Sequence, residues 1–545
     1  MTSAQSSPGF PIPEGMEGFW TWDKMHCPRP QTPITEEIFL TAVSKGFSAG
    51  MDEFASPVGL QYKVVNYFGY MGVFPLPLGS ESMDDRVARY QGILHDVLPR
   101  MGDLWENEWL PSILPGLEKA RSTDYAALSD DQLFETLDDM ITDLTHRYTV
   151  HGKINYVTVS ASMYADFYVE QFSPSDPTAP YLTLQGFPTR SVDAGRGLWR
   201  LSRTIKGSPA LRGAFETVET DGLISHLEGF DEGRAFLSDF RTYLDEFGWR
   251  SDVFELSDKT WREDPAIPLN TLQGYIFLDD SADPDVKYGE AVALRDKLLA
   301  QARDRLASDP EKLGQFNDMY EAARHYLPIT ENHNYYIDQI GNGVMRFPIL
   351  EFGRRLAAKG AVAEVDDVFL LYLPEIRAGL GGTDQKALVA QRKSDIEQWS
   401  KVIPVPVIGE PPEPHGDPME AALGKMFGMP VEPSTDPNVI NGIGASPGTV
   451  QGRAKVVKNL SEASKVQPGD ILVCQMTMPA WTPLFSIASA VVADTGGVLS
   501  HCAIVSREYG MPCVVGTQIG TASLQDGMML TVDGSQGIVR IDSRV

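Results

Sequence analysis

The run ADTGGVLSHCAIVSREYG, residues 493 to 510, sets a histidine directly behind a serine and a few residues beyond two adjacent glycines. Neutral imidazole is a nucleophile that can attack phosphorus and hold the group as a phosphoramidate, which is the chemistry open to His501. Thr495 and Ser500 can donate hydrogen bonds to phosphoryl oxygens. Gly496 and Gly497 let backbone N–H groups approach a ligand closely. A helix opening at His501 would add unpaired N–H donors and a favourable dipole, a suitable cradle for a phosphoryl group. By itself, a histidine beside Gly-Gly is more often a structural residue at a tight turn.

The elements that must position this run follow from local pattern. AVVA before it reads as a strand and CAIVSREYG after it as a helix. Beyond Asn438, short apolar runs (AKVV, DILVC, AVVA, PCVV, MLTV, GIVRI) alternate with glycine-bearing turns. Residues 438–545 therefore read as one compact β/α domain of strands with brief helices between. Residues 403–437 are crowded with proline, which predicts a semi-rigid, exposed linker holding at most one short helix. From about 84 to 400 the pattern is mainly helical. Met345, Ile349, Phe352 and Leu356 share one helix face, and Leu294, Leu298 and Ala302 mark another. The stretch YVTVSASMYADFYVE fits helix or strand equally. Residues 1 to about 80 are rich in aromatics and proline, which restricts helix there. Tyr67, Phe68, Tyr70, Met71 and Phe74 read as core rather than as a pocket for a planar substrate. The expected fold class is multidomain: a large, mainly α-helical substrate domain over 1–402, then the linker, then the β/α domain.

Composition narrows the function. A chain of 545 residues suits two to four domains. Its formal net charge of −28 argues against nucleic acid and membrane surfaces as partners. Four cysteines without metal or disulfide spacing read as free thiols. The opening MTSAQSSPGFPIPEG has neither a basic nor an apolar region, so no signal peptide and a cytoplasmic location are expected. The charge is unevenly spread: residues 438–545 hold seven basic and seven acidic residues, so the whole excess lies in residues 1–437.

The full run T-G-G-x-x-S-H-x-A-I-V-x-R-E-Y-G-x-P resembles the phosphohistidine swivelling domain of the PEP-utilising enzymes. GIGASPGTVQGRAKVV (442–457) and PGDILVCQMTMPAWTPLF (468–485) are similar to neighbouring pieces of that domain, although Met478 stands where the family often has a polar or acidic residue. The resemblance implies that His501 is the phosphorylated residue. The Gly-rich, Lys-bearing ATP-grasp pattern and the C-terminal barrel that handles phosphoenolpyruvate do not appear, so the expected phosphate donor is a separate ATP-grasp subunit. That subunit would bind ATP, with Mg2+. The arrangement resembles the split phenylphosphate synthases, which implies a dikinase and a small hydroxylated acceptor, preferably phenolic. An antibiotic phosphotransferase of the rifampin type is the first alternative. A phosphocarrier or regulatory protein without a small-molecule acceptor is the second.

The acceptor side then falls to residues 1–400. Residues 329–376, and more weakly WTWDKMHCPRPQTPI, resemble the substrate domains of phenylphosphate synthase and rifampin phosphotransferase. Within TENHNYY, His333 can take the proton of an attacking hydroxyl. Glu331, two residues away, can orient that imidazole or hold a divalent ion, provided the backbone is irregular or ends a helix. Arg346 suits the negative charge of a phosphoryl group in transfer. The plainer reading is a polar helix face with a buried histidine bonded to backbone. His26 is a second candidate for the acceptor pocket. No metal ligand set can be named.

Overall fold

The computed structural model describes residues 9–251, 253–411 and 417–544. Its contacts divide these residues into two compact units. The first takes residues 9–155, 253–259 and 336–411; the second takes 156–251, 260–335 and 417–544.

In the first unit, four strands form an antiparallel sheet in the order Val58–Val65, Phe68–Pro75, Trp20–Trp22, Val407–Ile408. Asn66 and Tyr67, with φ of 50° and 68°, make the two-residue turn of its long hairpin. Phe68 and Tyr70 are buried with Phe10, Trp20, Val405 and Ile408, and Phe74 packs against them partly exposed, whereas Tyr67 and Met71 are half-buried outside this core. Helix is less restricted here than the prolines imply. Pro28, Pro30 and Pro33 all precede a π-helical turn, Thr35–Leu40, that leads into helix Thr41–Glu53. That helix crosses helix Asp130–Ile154 at glycines. A Cβ on Gly50 would lie 2.1 Å from the Thr149 carbonyl oxygen, and one on Gly46 2.5 Å from that of Thr145. Only glycine permits that approach. Helix Gly341–Ala358 buries Met345, Ile349, Phe352 and Leu356 completely, as their spacing requires.

The second unit joins a helical bundle to the β/α domain. The ambiguous stretch is a helix, Val157–Phe172, buried on most sides. Helix Pro284–Leu306 buries Ala291, Leu299, Ala302 and Leu306; of the expected face Ala302 is buried and Leu298 half-buried, while Leu294 is exposed. Past residue 438 there is an eight-stranded sheet, ordered 439–441, 538–543, 529–533, 449–457, 471–474, 490–493, 513–515, 443–446. Its centre is parallel (449–457, 471–474, 490–493, 513–515) and its margins antiparallel. Ile471–Cys474 and Ala490–Ala493 are buried at every position. Strands covered on both faces carry such unbroken apolar runs. The chain is thus a large helical region followed by a C-terminal β/α domain.

The proline-rich stretch is packed at both ends and holds one short helix among its described residues. Val407–Ile408 belongs to the first unit's sheet. In the second unit, helix Pro418–Phe427 buries Ala422, and its Lys425 ammonium bonds the Ser162 carbonyl and hydroxyl and Asp166 on helix Val157–Phe172. Residues 412–416, and with them His415, lie outside the described residues, as do 1–8 of the polar opening. All four cysteines are free and buried. No described helix is long and apolar enough to cross a membrane.

Candidate functional site

Strand Ala490–Ala493 delivers the chain to the Thr495–Ser500 loop, and helix His501–Glu508 leaves it. Ser500 caps that helix, its hydroxyl oxygen accepting from the Ala503 N–H at 3.4 Å. Asp494 braces the base of the loop by accepting from the Thr517 hydroxyl and from the backbone and side chain of Thr521. Gly496 has a φ of +96°, a conformation glycine supplies without strain.

Part of the expected cradle is committed elsewhere. The Gly497 N–H donates to the Met426 carbonyl and that of Leu499 to the Lys425 carbonyl, both at 2.9 Å. A Cβ on Gly497 would sit 2.2 Å from the Lys425 carbonyl oxygen. The second glycine therefore accommodates the end of helix Pro418–Phe427. Thr495 is likewise spent, its N–H and hydroxyl both donating to the Gln475 carbonyl at 3.0 and 3.1 Å.

His501 meets helix Tyr326–His333 of the same unit. Its Nδ1 lies 3.1 Å from Glu331 Oε1, while Glu331 Oε2 accepts from the Ser191 hydroxyl at 2.6 Å. Glu331 is 1% exposed. Burial would raise its pKa, but the His501 ring, the Ser191 hydroxyl and the charge of His333 together hold the carboxyl below its ordinary value. A carboxylate can only accept, so Nδ1 carries the proton and the lone pair of neutral His501 sits on Nε2. Nε2 is buried and has no hydrogen-bond partner. The arrangement presents one ring nitrogen as nucleophile and holds the other.

The rest of the contact between bundle and β/α domain is mostly uncharged. The Tyr326 hydroxyl donates to the Leu499 carbonyl, Tyr275 donates to the Pro483 carbonyl at 3.1 Å, and the Gly186 N–H donates to Glu508 Oε1 at 2.8 Å. Glu508 is buried, its Oε2 lacks a partner, and burial pushes its pKa up to about 7 against the pull of the Gly186 N–H and Arg507.

The other sequence candidates are dispersed. His333 ends its helix with Nδ1 donating to the Ile329 carbonyl at 3.0 Å. Glu331 is bonded to the His501 ring, whereas the sequence suggests orientation of His333. Arg346 belongs to the first unit, where its guanidinium donates to the Leu256 and Ser257 carbonyls at 3.0 and 2.9 Å and lies over Phe369. That engagement is structural. His26, also in the first unit, donates from Nδ1 to Asp23 at 2.8 Å and stacks on Phe254. Asp23 accepts from the Tyr62 hydroxyl too, at 2.6 Å. Burial opposes both charges, yet the pairing lowers the Asp23 pKa and raises that of His26. Ser191, Asp23 and Tyr62 escape sequence reasoning because no local pattern ties them to their partners.

Comparison with known proteins finds relatives for both parts of this unit. Residues 466–537 match the mobile domain of the PEP-utilising enzymes, and residues 156–331 match the fourth domain of rifampicin phosphotransferase. The chain carries the PEP-utilising mobile domain, with His501 inside the matched span. The uncharacterised phosphotransferase YvkC of Bacillus subtilis (strain 168) is 30% identical over 97% of this chain and 62% of its own length. Chondramide synthase cmdD of Chondromyces crocatus is 29% identical over 98% of the chain and 14% of its own. A rifampicin phosphotransferase of Streptomyces sviceus is 26% identical over 79% of the chain and 50% of its own. The chain thus spans less than two thirds of each of these relatives.

Proposed function

We propose that this chain is the carrier and acceptor-binding part of a dikinase-type phosphotransferase. The observation that carries the reading is the His501 ring, fixed at Nδ1 by Glu331 and unpartnered at Nε2. The Nε2 lone pair attacks the phosphorus of a donor, the donor's P–O bond breaks, and the group rests as a phosphoramidate. The charge that develops on the ring is offset by the Glu331 carboxylate, which stays ionised at neutral pH. A hydroxyl oxygen of the acceptor then attacks phosphorus and the P–N bond breaks, leaving His501 neutral. A base takes the hydroxyl proton, and His333 is our candidate for it. ATP, with Mg2+, is assigned to a separate ATP-grasp subunit that loads His501, and the acceptor to a small hydroxylated compound of phenolic type. The match of residues 156–331 to a rifampicin phosphotransferase domain supports a second reading, in which the acceptor is a bulky antibiotic.

The test is labelling of the full chain with radioactive ATP in the presence of candidate ATP-grasp proteins, followed by a screen of phenols and rifamycins. Acid-labile label on His501 that passes to an acceptor is expected, and His501→Ala should remove it. Full labelling of that variant would overturn the proposal.

A further inference from the structure

The helical part of the second unit holds a cluster of buried hydrogen-bond donors that have nothing to donate to. Arg250 is 1% exposed, and its Nε and Nη1 have no partner. Trp261 and Tyr243 are buried as well, and neither the indole Nε1 nor the phenol hydroxyl has one. These side chains are neighbours: the Arg250 guanidinium lies 5.2 Å from the Trp261 ring and 5.7 Å from the Phe247 ring, against which Tyr243 packs at 5.2 Å. Among the described residues no carboxylate pairs with Arg250. Stacking on aromatic faces offsets part of its charge, but a buried guanidinium without an acceptor is costly, and so are unpaired indole and phenol donors. Arginine and tryptophan side chains accept no hydrogen bonds, so what completes the cluster is rich in acceptors and negatively charged.

Its surroundings connect it to the carrier. Phe247 also packs on Tyr335 at 5.8 Å, one helical turn beyond Glu331. Arg190 covers both rings, at 5.1 and 4.5 Å, and adjoins the Ser191 that bonds Glu331. Tyr243 and Tyr509, the residue that caps the His501 helix, both press on helix Arg190–Gly207: a Cβ on Gly197 would meet the Tyr243 ring at 2.7 Å and one on Gly195 the Tyr509 hydroxyl at 2.8 Å.

We infer that Arg250, Trp261 and Tyr243 form a binding site for the oxyanion of a phosphoryl group. The three unshared oxygens of a phosphoryl group can accept from guanidinium, indole and phenol donors alike, and arginine is well suited to hold two of them in parallel. The site stands whether or not the phosphotransfer reading does, because binding is measured without turnover.

The full chain is titrated with inorganic phosphate in phosphate-free buffer, followed by calorimetry and tryptophan fluorescence. Saturable binding at one site is expected, with acetate failing to compete. Arg250→Met should weaken it about tenfold or more, Arg250→Lys and Tyr243→Phe by less, and His501→Ala should leave it intact. Arg250→Met should also melt no lower than the parent without phosphate, since it removes an uncompensated buried charge, and should lose the rise in Tm that phosphate gives the parent. If Arg250→Met does not fold, Arg250→Lys and Tyr243→Phe decide. No saturable binding by the parent, unchanged affinity in the folded variants, or equal competition by acetate overturns the site. Loss of phosphate binding with His501 still labelled by ATP separates this failure from failure of the phosphotransfer reading.

Discussion

A histidine becomes a useful nucleophile when one nitrogen is held and the other is left bare. Glu331 does the holding for His501, at 3.1 Å, and is itself fixed by Ser191. Glu331→Gln keeps the shape of the side chain but removes the charge that, on the proposed function, would balance a phosphorylated ring. It should slow labelling of His501 by about a hundredfold, read as the initial rate of label uptake, with the melting profile little changed at neutral pH. The same residue gives an acid limb to stability. Its folded pKa lies below the ordinary 4.5, so its contribution is present above that value and is lost as pH falls through the folded one. Melting curves through that acid range should fall more gently for Glu331→Gln than for the parent.

At the scale of elements, the helix that begins with His501 also carries a poorly solvated acid near its end. Glu508 has a folded pKa near 7 against 4.5 when exposed, so the folded state holds its proton more tightly. The Glu508 contribution to stability is therefore greatest below pH 4.5 and declines as pH rises to about 7. The decline is on the order of 3 kcal/mol. Glu508→Gln should remove that decline and melt higher than the parent at alkaline pH. The glycine loop before the same helix gives a second expectation. Gly497→Ala would drive a methyl group against the Lys425 carbonyl, costing roughly 1–3 kcal/mol as overpacking does. It should open helix Pro418–Phe427 to limited proteolysis while the parent resists. In the first unit, Gly50→Ala meets the Thr149 carbonyl with similar severity, and its effect should appear as a lowered Tm.

Across the whole molecule, the charge distribution and the contacts of the mobile domain agree. Residues 438–545 are formally neutral while the remainder carries the excess of −28. Within the second unit the contacts that seat this domain are chiefly hydrogen bonds involving neutral partners, from Tyr326, Tyr275 and Gly186. These contacts seat residues 438–545 on the helical bundle without a large net charge attraction. Salt should accordingly change its seating little, because screening acts mainly on exposed charge pairs. Amide hydrogen exchange over residues 499–508, compared at low and high salt, should be nearly the same. Strong acceleration by salt would mean that ion pairs hold the domain.

The sequence by itself determined the parts whose causes are local. Six apolar runs beyond Asn438 are strands, and a helix opens at His501, because a strand's apolar run and a helix start need only their immediate neighbours. Met345, Ile349, Phe352 and Leu356 lie on one buried face for the same reason. What tertiary structure decided is which distant groups meet. Glu331 bonds His501 across 170 positions of sequence, and Gly497 is shaped to fit Lys425 on a helix from the proline-rich stretch. Helix Pro284–Leu306 turns Leu294 outward although its period allows it inward. Periodicity fixes a helix and its possible faces; only packing against specific neighbours selects the face, the partner of a carboxylate and the use of a glycine.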